Sequence, residues 1–302
     1  MGLCTGRVVI VTGAGAGLGR AYALALAAEG AKVVVNDLGV GTHGEAGQAV
    51  GAAQQVVDEI RAAGGEAVAN TADVADFEAA KGIVDQALEA FGDLHAVVNN
   101  AGFVRDRMFV SCTPEEWDAV IRVHLGGHFC TSYWACQHWR SQQKRGEAVD
   151  ARIINTSSGA GLQGSVGQSA YSAAKGGIAS LTLVQAAELA RYGITANALA
   201  PAARTRMTET AFAEAMKAPE DGFDPHDPAN VAPAVVWLAS AESAGVTGQV
   251  FELKGGQIML SEGWRDGPGE DKGRRWTPSE VGPVVRELLA RRTPAQAVYG
   301  AG

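Results

Sequence analysis

The chain has 302 residues, of which 47% are hydrophobic and 19% are charged, which is enough for one large core or at most two modest ones. Its 25 basic and 33 acidic residues give a formal net charge of −8, and without a basic cluster this argues against nucleic acid as the main partner. No apolar run approaches the roughly 18 residues that a membrane span needs, so we expect no membrane association.

The four cysteines (Cys4, Cys112, Cys130 and Cys136) have neither paired spacing nor a C-x-x-C motif, and no signal peptide is recognised ahead of them. We therefore expect reduced thiols, a cytoplasmic protein and no metal site.

Short β-branched segments alternate with longer alanine-rich helical patterns from the start of the chain. RVVIVT, KVVVND, EAVAN and HAVVNN are predicted strands, and helices are predicted at residues 18–29, 46–63 and 76–91. The segment LGVGTHGEAGQ lengthens the second strand-to-helix loop. This alternation is typical of βαβ units and of a parallel sheet with helices on both faces.

The second half continues the same rhythm. In TPEEW, Thr113 and Glu116 have the spacing of a capping box and Pro114 stands at the first helical position, which predicts a helix start. The strand ARIINTS, a helix at residues 170–191 and the strands GITANALA and QVFEL follow. We predict a three-layer α/β fold, a doubly wound parallel sheet of about seven strands.

The chain is predicted to form one domain over residues 1–260, followed by a C-terminal extension over residues 261–302. In the extension, TPSE (Thr277 to Glu280) repeats the capping pattern ahead of an apolar helix. That helix would be a surface helix, an oligomer contact or a cover for the active site.

A glycine-rich stretch, TGAGAGLG, follows the first predicted strand. Glycines let the backbone turn tightly and approach a pyrophosphate, whose charge then lies at the N-terminus of the next helix. Tight turns also use glycine, but the position between a strand and a helix favours a dinucleotide-binding loop. Its candidate residues are Gly13, Gly15, Gly17, Leu18 and Gly19.

Asp37 ends the second predicted strand, where a carboxylate can accept hydrogen bonds from the adenosine ribose. Its charge would repel a 2′-phosphate, so NAD is favoured over NADP. The alternative is a strand-end aspartate that caps a turn, and the neighbouring Asn36 could soften the discrimination.

Two further strand ends carry candidate cofactor-binding residues. After the third strand, Asp73 can hydrogen-bond an adenine edge while Val74 packs on the ring, although a helix N-cap is an equally ordinary role for Asp73. NNAG ends the fourth strand, where its two asparagines can bridge neighbouring strands. The chain at Asn100, Ala101 and Gly102 is then expected to run alongside the cofactor.

Tyr171 and Lys175 are four residues apart in a predicted helix, so they face the same way. A unit charge at about 5 Å and an effective dielectric of about 20 is worth roughly 3 kcal/mol. Lysine, helped by an oxidised nicotinamide, could therefore bring a phenol pKa close to neutrality. Ser158, with Ser157 as the near alternative, could hold the substrate oxygen during hydride transfer.

These residues together resemble the classical branch of the short-chain dehydrogenase/reductase family. T-G-x-x-x-G-x-G, N-N-A-G, the serine, Y-x-x-x-K and NALAP (Asn197 to Pro201) occur in the family's order over about residues 5 to 255. The resemblance implies a Rossmann-like fold, proton transfer by Tyr171, a nicotinamide ribose held by Lys175, and assembly as a homodimer or homotetramer. Such an oligomer would form through helices that carry residues 117–142 and 172–191.

Two positions depart from the family pattern. His124 stands where most members have an asparagine of a proton relay, and either a relay or a structural role is open to it. Pro201 is followed by Ala202 rather than glycine, and the resemblance assigns the hydroxyl beside the nicotinamide carboxamide to Thr205.

A closer likeness narrows the expected activity. VVVNDLG, NNAGFVRDRMF, RVHLGGHF and GQSAYSAAKGG resemble the (3R)-hydroxyacyl-CoA dehydrogenase units of peroxisomal multifunctional enzymes and their bacterial relatives, which share the histidine. The leading hypothesis is NAD-dependent oxidation of a 3-hydroxyacyl-CoA to a 3-oxoacyl-CoA, with bulky or steroid acyl chains among the candidates. The alternatives are a hydroxysteroid dehydrogenase, a 3-oxoacyl-carrier-protein reductase, or a non-catalytic dinucleotide-binding protein.

Overall fold

The computed structural model describes residues 2–41, 44, 51–205 and 216–301. Eight strands in this part of the chain form one sheet with the order β3-β2-β1-β4-β5-β6-β7-β8. The strands are β1 Val8–Thr12, β2 Lys32–Asn36, β3 Glu66–Asn70, β4 Ala96–Asn99, β5 Ala151–Thr156, β6 Ile194–Ala202, β7 Val250–Lys254 and β8 Gln257–Leu260. The predicted α/β Rossmann-like fold is confirmed.

The sheet is parallel from β3 to β7, and β8 is its antiparallel edge strand. The prediction of about seven strands missed β8, which pairs Lys254 with Gln257 across a tight turn at two glycines. All four β8 residues are exposed, so the strand lacks the alternation of buried and exposed positions by which a strand is recognised in a sequence.

The helices agree with the predicted rhythm. They are α1 Gly17–Ala28, α2 Ala52–Ala62, α3 Phe77–Phe91, α4 Pro114–Ile121, α5 Gly127–Lys144, α6 Gly159–Gln163, α7 Ser169–Leu189, α8 Ala232–Ala239 and α9 Pro278–Arg291. The start predicted for α2 at residue 46 lies outside the described residues. The short α6 occupies a segment that the sequence analysis left without a helix.

Both predicted capping patterns begin helices. The Thr113 hydroxyl accepts from the Glu116 amide and the Glu116 carboxylate accepts from the Thr113 amide, both at 3.2 Å. At the start of α9 the Thr277 amide donates to Glu280 Oε2 at 2.7 Å. These bonds satisfy amide groups that the first turn of a helix leaves free.

The core lies on both faces of the sheet, as a parallel sheet requires. Val9 and Val11 of β1 belong to the cluster beneath α1, α2 and α8, whereas Val8 and Ile10 belong to the cluster beneath α3, α5 and α7. The alternation follows from the two-residue period of a strand. No helix among the described residues has both the length and the apolar character that crossing a membrane requires.

Candidate active site

The strand order reverses direction at β1, which lies between β2 and β4. In an open α/β sheet, ligands bind beyond the carboxyl ends of the strands at such a point. A cavity of about 210 Å³ opens there. Its lining includes eleven predicted cofactor-binding residues, namely Gly13, Gly17, Leu18, Gly19, Asp37, Asp73, Val74, Asn100, Ala101, Gly102 and Thr205.

The glycine loop is shaped by close backbone contacts. Gly13 has φ +62°, and a Cβ on it would lie 2.7 Å from Ala101 Cα. A Cβ on Gly19 would lie 2.2 Å from the Gly13 carbonyl oxygen. Side chains at these positions would push the loop away from β4 and from α1. The loop therefore fits a dinucleotide pyrophosphate, which needs close approach to backbone amides at a helix N-terminus.

Asp37 lies at the end of β2 with its carboxylate turned toward the glycine loop. Oδ2 accepts from the Gly15 amide and Oδ1 accepts from the Gly39 amide, each at 2.8 Å. A Cβ on Gly15 would lie 2.7 Å from Oδ2, so glycine makes room for this contact. Asp37 therefore caps the turn, as the alternative predicted, and its carboxylate also lines the cavity.

Asn36 is held by β3. It is 1% exposed, and its amide donates to Asn70 Oδ1 at 2.7 Å and to the Ala72 carbonyl at 3.0 Å. With both amide hydrogens committed to the β3 side of the sheet, Asn36 cannot also donate to a cofactor phosphate. These two hydrogen bonds disfavour the hypothesis that Asn36 weakens the preference for NAD over NADP.

Asp73 is not the cap of α3. That position belongs to Asp76, whose side chain accepts from the Ala79 amide at 2.8 Å. Asp73 instead accepts from the Ala75 amide at 2.9 Å and pairs with Arg122 at 3.1 Å. The predicted N-cap alternative is therefore wrong by three residues, and Asp73 remains on the cavity wall beside the buried Val74.

The two asparagines of NNAG bridge neighbouring strands as predicted. The Asn99 amide donates to Asn155 Oδ1 of β5 at 3.0 Å. The Asn100 amide donates to the Thr12 carbonyl at 3.0 Å and to the Gly13 carbonyl at 3.2 Å. Together they fix the end of β4 between β1 and β5 on the cavity floor.

Ser158, Tyr171 and Lys175 come together beyond the end of β5, outside the lining of the dinucleotide cavity. The Ser158 side chain lies close enough to the Tyr171 phenol to act on its pKa. Lys175 Nζ lies 5.6 Å from the centre of the Tyr171 ring and donates to the Thr156 carbonyl at 2.6 Å. Ser157 is excluded as the alternative because its hydroxyl is buried and donates to the Lys175 carbonyl at 2.8 Å.

Burial has the largest influence on the pKa values of the pair. Burial raises the pKa of Tyr171 above its ordinary value, with the Ser158 side chain acting in the opposite direction. Burial also lowers the pKa of Lys175 to about 7, so its positive charge is only partly present at neutral pH. Desolvation is the largest influence on the phenol pKa of the protein alone, so the shift toward neutrality predicted for Lys175 together with an oxidised nicotinamide stays a prediction.

Two glycines allow α6 and α7 to touch, which sets the distance between the serine and the lysine. A Cβ on Gly161 would lie 2.5 Å from the Lys175 carbonyl carbon, and one on Gly176 would lie 3.0 Å from the Gly161 carbonyl oxygen. The glycine-rich stretch between Ser158 and Tyr171 thus gives close backbone packing as well as a loop.

His124 is buried at 1% exposure within a π turn, Arg122–Gly126, that joins α4 to α5. Its Nε2 lies 2.7 Å from the Phe103 carbonyl oxygen, and its ring packs edge-on against Tyr171 with centroids 5.2 Å apart. Burial lowers the pKa of His124 to about 3, so the ring is neutral. These contacts favour the structural alternative, in which His124 holds the segment that ends β4.

Gly102 and His124 fit each other closely. A Cβ on Gly102 would lie 2.1 Å from His124 Cε1. The histidine ring therefore packs against the segment at Gly102, which lines the cavity.

His128 and Arg122 were missed by the sequence analysis. His128 is 2% exposed and its Nε2 accepts from the Thr156 amide at 3.2 Å, next to the carbonyl that receives Lys175. Arg122 lines the cavity and pairs with Asp73. Both lie in RVHLGGHF, but that motif indicated no role for either residue, because each acts through a partner that is distant in the chain.

The last two predicted residues lie near the end of β6. Pro201 is half-buried in β6 and pairs in register with Leu253. Thr205 lines the cavity, and its Cγ2 would lie 3.5 Å from a Cβ on Gly17. Residues 206–215, which follow Thr205, lie outside the described part of the chain.

Comparison with known proteins identifies the family. The family model described as short chain dehydrogenase matches residues 7–216. This chain belongs to the short chain dehydrogenase family. A crystal structure of a short chain dehydrogenase from Mycobacterium avium has 60% sequence identity and a TM-score of 0.90, and the match covers 99% of this chain and 100% of that chain.

Two curated relatives match most of this chain, and the name of the first states a more specific activity. The hydroxyacyl-CoA dehydrogenase ChsB1 of Mycobacterium tuberculosis is 44% identical over 97% of this chain and 91% of its own length. The peroxisomal multifunctional enzyme type 2 of Mus musculus is 47% identical over 84% of this chain, which matches 32% of that longer protein. The chain is therefore an oxidoreductase that acts on CH–OH groups, in a family whose members use a nicotinamide dinucleotide.

Proposed function

We propose that this protein oxidises a 3-hydroxyacyl-CoA to the 3-oxoacyl-CoA with NAD as the acceptor. The observation that carries the proposal is the joining of Ser158, Tyr171 and Lys175 at the end of β5, beside a cavity with Asp37 on its wall. The name of the relative from Mycobacterium tuberculosis, a hydroxyacyl-CoA dehydrogenase, supports the thioester as the substrate class.

The residues divide the chemistry among themselves. Tyr171 removes the proton of the substrate hydroxyl, and Ser158, whose side chain lies beside the same phenol, holds the substrate oxygen. Lys175 is held by its hydrogen bond to the Thr156 carbonyl. When Lys175 is protonated, its positive charge stabilises the phenolate form of Tyr171. When bound, the dinucleotide supplies the hydride acceptor.

The dinucleotide would be held by the residues that line the cavity, and Asp37 would select NAD. The Gly13 and Gly19 contacts keep the loop close enough for a pyrophosphate. The Asp37 carboxylate repels a 2′-phosphate, and Asn36 offers no free amide hydrogen to offset that repulsion.

We further propose a homo-oligomer and a cytoplasmic location. Large apolar side chains are exposed on α5 and α7, which are the helices that the family resemblance assigns to the subunit contact; they include Phe129, Tyr133, Leu183 and Val184. All four cysteines are free thiols, which suits a reducing compartment.

The activity is tested by following NADH formation with 3-hydroxyacyl-CoAs of increasing size and with free hydroxysteroids. We expect saturation with the thioesters and a 10²- to 10⁴-fold lower kcat in Tyr171→Phe, about the range lost with a general acid–base. Tyr192→Phe, the same change beyond the end of α7, is the matched control.

The alternatives give different results in the same assay. Saturation by free steroids alone would exclude the thioester substrate, and a strong preference for NADPH-dependent reduction of an acyl-carrier-protein thioester would favour a biosynthetic reductase. Unchanged activity in Tyr171→Phe with intact NAD binding would contradict the assigned catalytic role.

Cofactor choice is tested with Asp37→Ser. Removing the carboxylate removes the repulsion of a 2′-phosphate, so we expect the ratio of kcat/KM for NADP to that for NAD to rise about tenfold or more. Thermal melting is measured alongside, because the Gly15 and Gly39 amides lose their acceptor. A ratio unchanged in a folded variant would mean that Asp37 only caps the turn.

A further inference from the structure

The C-terminal segment returns to the loop between Ser158 and Tyr171. The Val166 amide donates to the Tyr299 carbonyl at 2.9 Å, and the Tyr299 amide donates to the Gly164 carbonyl at 3.1 Å. These two bonds make a short parallel bridge between Ser165 and Tyr299. The backbone at Tyr299 is therefore anchored to the loop that separates the serine from the tyrosine.

The side chains of this segment also contact the loop. A Cβ on Gly159 would lie 2.8 Å from Tyr299 Oη and 3.0 Å from Cε2, and all three of its nearest atoms belong to Tyr299. Gly159 directly follows Ser158, so the phenol occupies the space that a side chain at residue 159 would fill. Val298 packs in the same way on Gly164, where a Cβ would lie 3.4 Å from Val298 Cγ1.

We propose that Tyr299 is a specificity-determining residue, which lies beside Ser158 and contacts the acyl group of the substrate. The inference rests on the proposed function for the identity of that substrate. Tyr299 is 46% exposed, so part of its ring is covered by the loop and the rest is available to a ligand. A tyrosine ring gives a large, rigid and mainly apolar contact at a small cost in conformational entropy, which suits an acyl chain.

The role is tested by steady-state kinetics of Tyr299→Ala on a series from 3-hydroxybutyryl-CoA to ring-bearing 3-hydroxyacyl-CoAs. We expect KM for the bulky thioesters to rise at least fivefold, with a smaller rise for the short one. kcat should change less than twofold, and KM for NAD should stay the same. Val281→Ala, at an exposed apolar position on α9, is the matched control.

A double substitution tests the contact itself. Gly159→Ala should raise KM as Tyr299→Ala does, because the added methyl group displaces the phenol. In the Tyr299→Ala background the three atoms nearest to that methyl group are removed, so the two effects should not add. Hydrogen exchange gives a readout that needs no substrate: the Val166 amide should exchange at least tenfold faster in Gly159→Ala than in the wild type.

The two proposals fail separately. If the wild type oxidises no hydroxyacyl-CoA, the proposed function fails, and the variants are compared on the secondary alcohol that the enzyme does oxidise. If Tyr299→Ala leaves the KM of every oxidised substrate unchanged, or if Val166 exchange is the same in Gly159→Ala and the wild type, the role of Tyr299 is overturned.

Discussion

Two buried histidines lie under the candidate active site and both are held neutral. Burial lowers the pKa of His124 to about 3 and that of His128 well below its ordinary value, and the nearby Lys175 acts in the same direction. Neutral rings suit their contacts, since His124 supports Phe103 and His128 accepts from the Thr156 amide. Keeping the two rings neutral lowers the stability of the fold only at acidic pH.

At the residue scale, we predict that acid destabilises the protein through these histidines. Above pH 6.5 the rings are neutral in both the folded and the unfolded chain. Below it, the unfolded chain binds protons that the folded protein excludes, so the free energy of unfolding falls as the pH drops toward 3. His124 contributes about 1.4 kcal/mol per pH unit in that window, and His128 acts in the same direction.

The measurement is urea unfolding at pH 7.5 and at pH 5.5. His124→Asn should lose less stability between the two pH values than the wild type does, by the contribution of one histidine. Equal losses in the two proteins would show that His124 does not remain neutral in the fold.

At the scale of elements, the helix that begins at TPEEW widens into a π turn at Arg122–Gly126 before it continues as α5. Single π turns of this kind occur often at functional sites. The turn shifts His124 into the space below Gly102. The capping box predicted where this helix starts, but the widened turn depends on packing between His124, Gly102 and Phe103, which local sequence patterns do not encode.

Gly102→Ala should destabilise the protein by about 1–3 kcal/mol, because the new methyl group would lie 2.1 Å from the His124 ring atom Cε1. Gly82→Ala is the matched control: Gly82 is exposed in α3, nothing lies within 4 Å of its added Cβ, and alanine there should add about 0.5–1 kcal/mol. Urea unfolding of both variants measures the difference. A Gly102→Ala protein as stable as the wild type would contradict the packing described at His124.

At the scale of the whole molecule, the parts that follow from short-range patterns were predictable. Alternating β-branched and helical segments predicted β1 to β7. The glycine loop and NNAG predicted two parts of the cavity lining, and the tyrosine–lysine spacing predicted a pair that lies beyond the end of β5. Three features were not predictable: β8, the burial that raises the Tyr171 pKa, and the contact of Tyr299 with Gly159. Each depends on which distant segments pack together, and a single sequence carries no direct record of that.

The exposed apolar faces of α5 and α7 give the prediction that belongs to this scale. Leu183, at 52% exposure, lies on the proposed subunit contact, so Leu183→Glu should place a charge in that interface and shift the protein toward smaller species. Light scattering coupled to size-exclusion chromatography measures the mass. Val281→Glu on α9 is the control, and an unchanged mass in Leu183→Glu would exclude α7 from the interface.

The two halves of the candidate site differ in how far apart in the chain their parts lie. Ser158, Tyr171 and Lys175 belong to one strand–helix–helix unit, whereas the dinucleotide cavity needs the ends of β1, β2, β3 and β4. Contacts between nearby segments cost less loop entropy and form earlier in folding. A bound dinucleotide would therefore stabilise only chains in which the ends of β1 to β4 have come together, so it would raise the free energy of unfolding of the most distant part of the site.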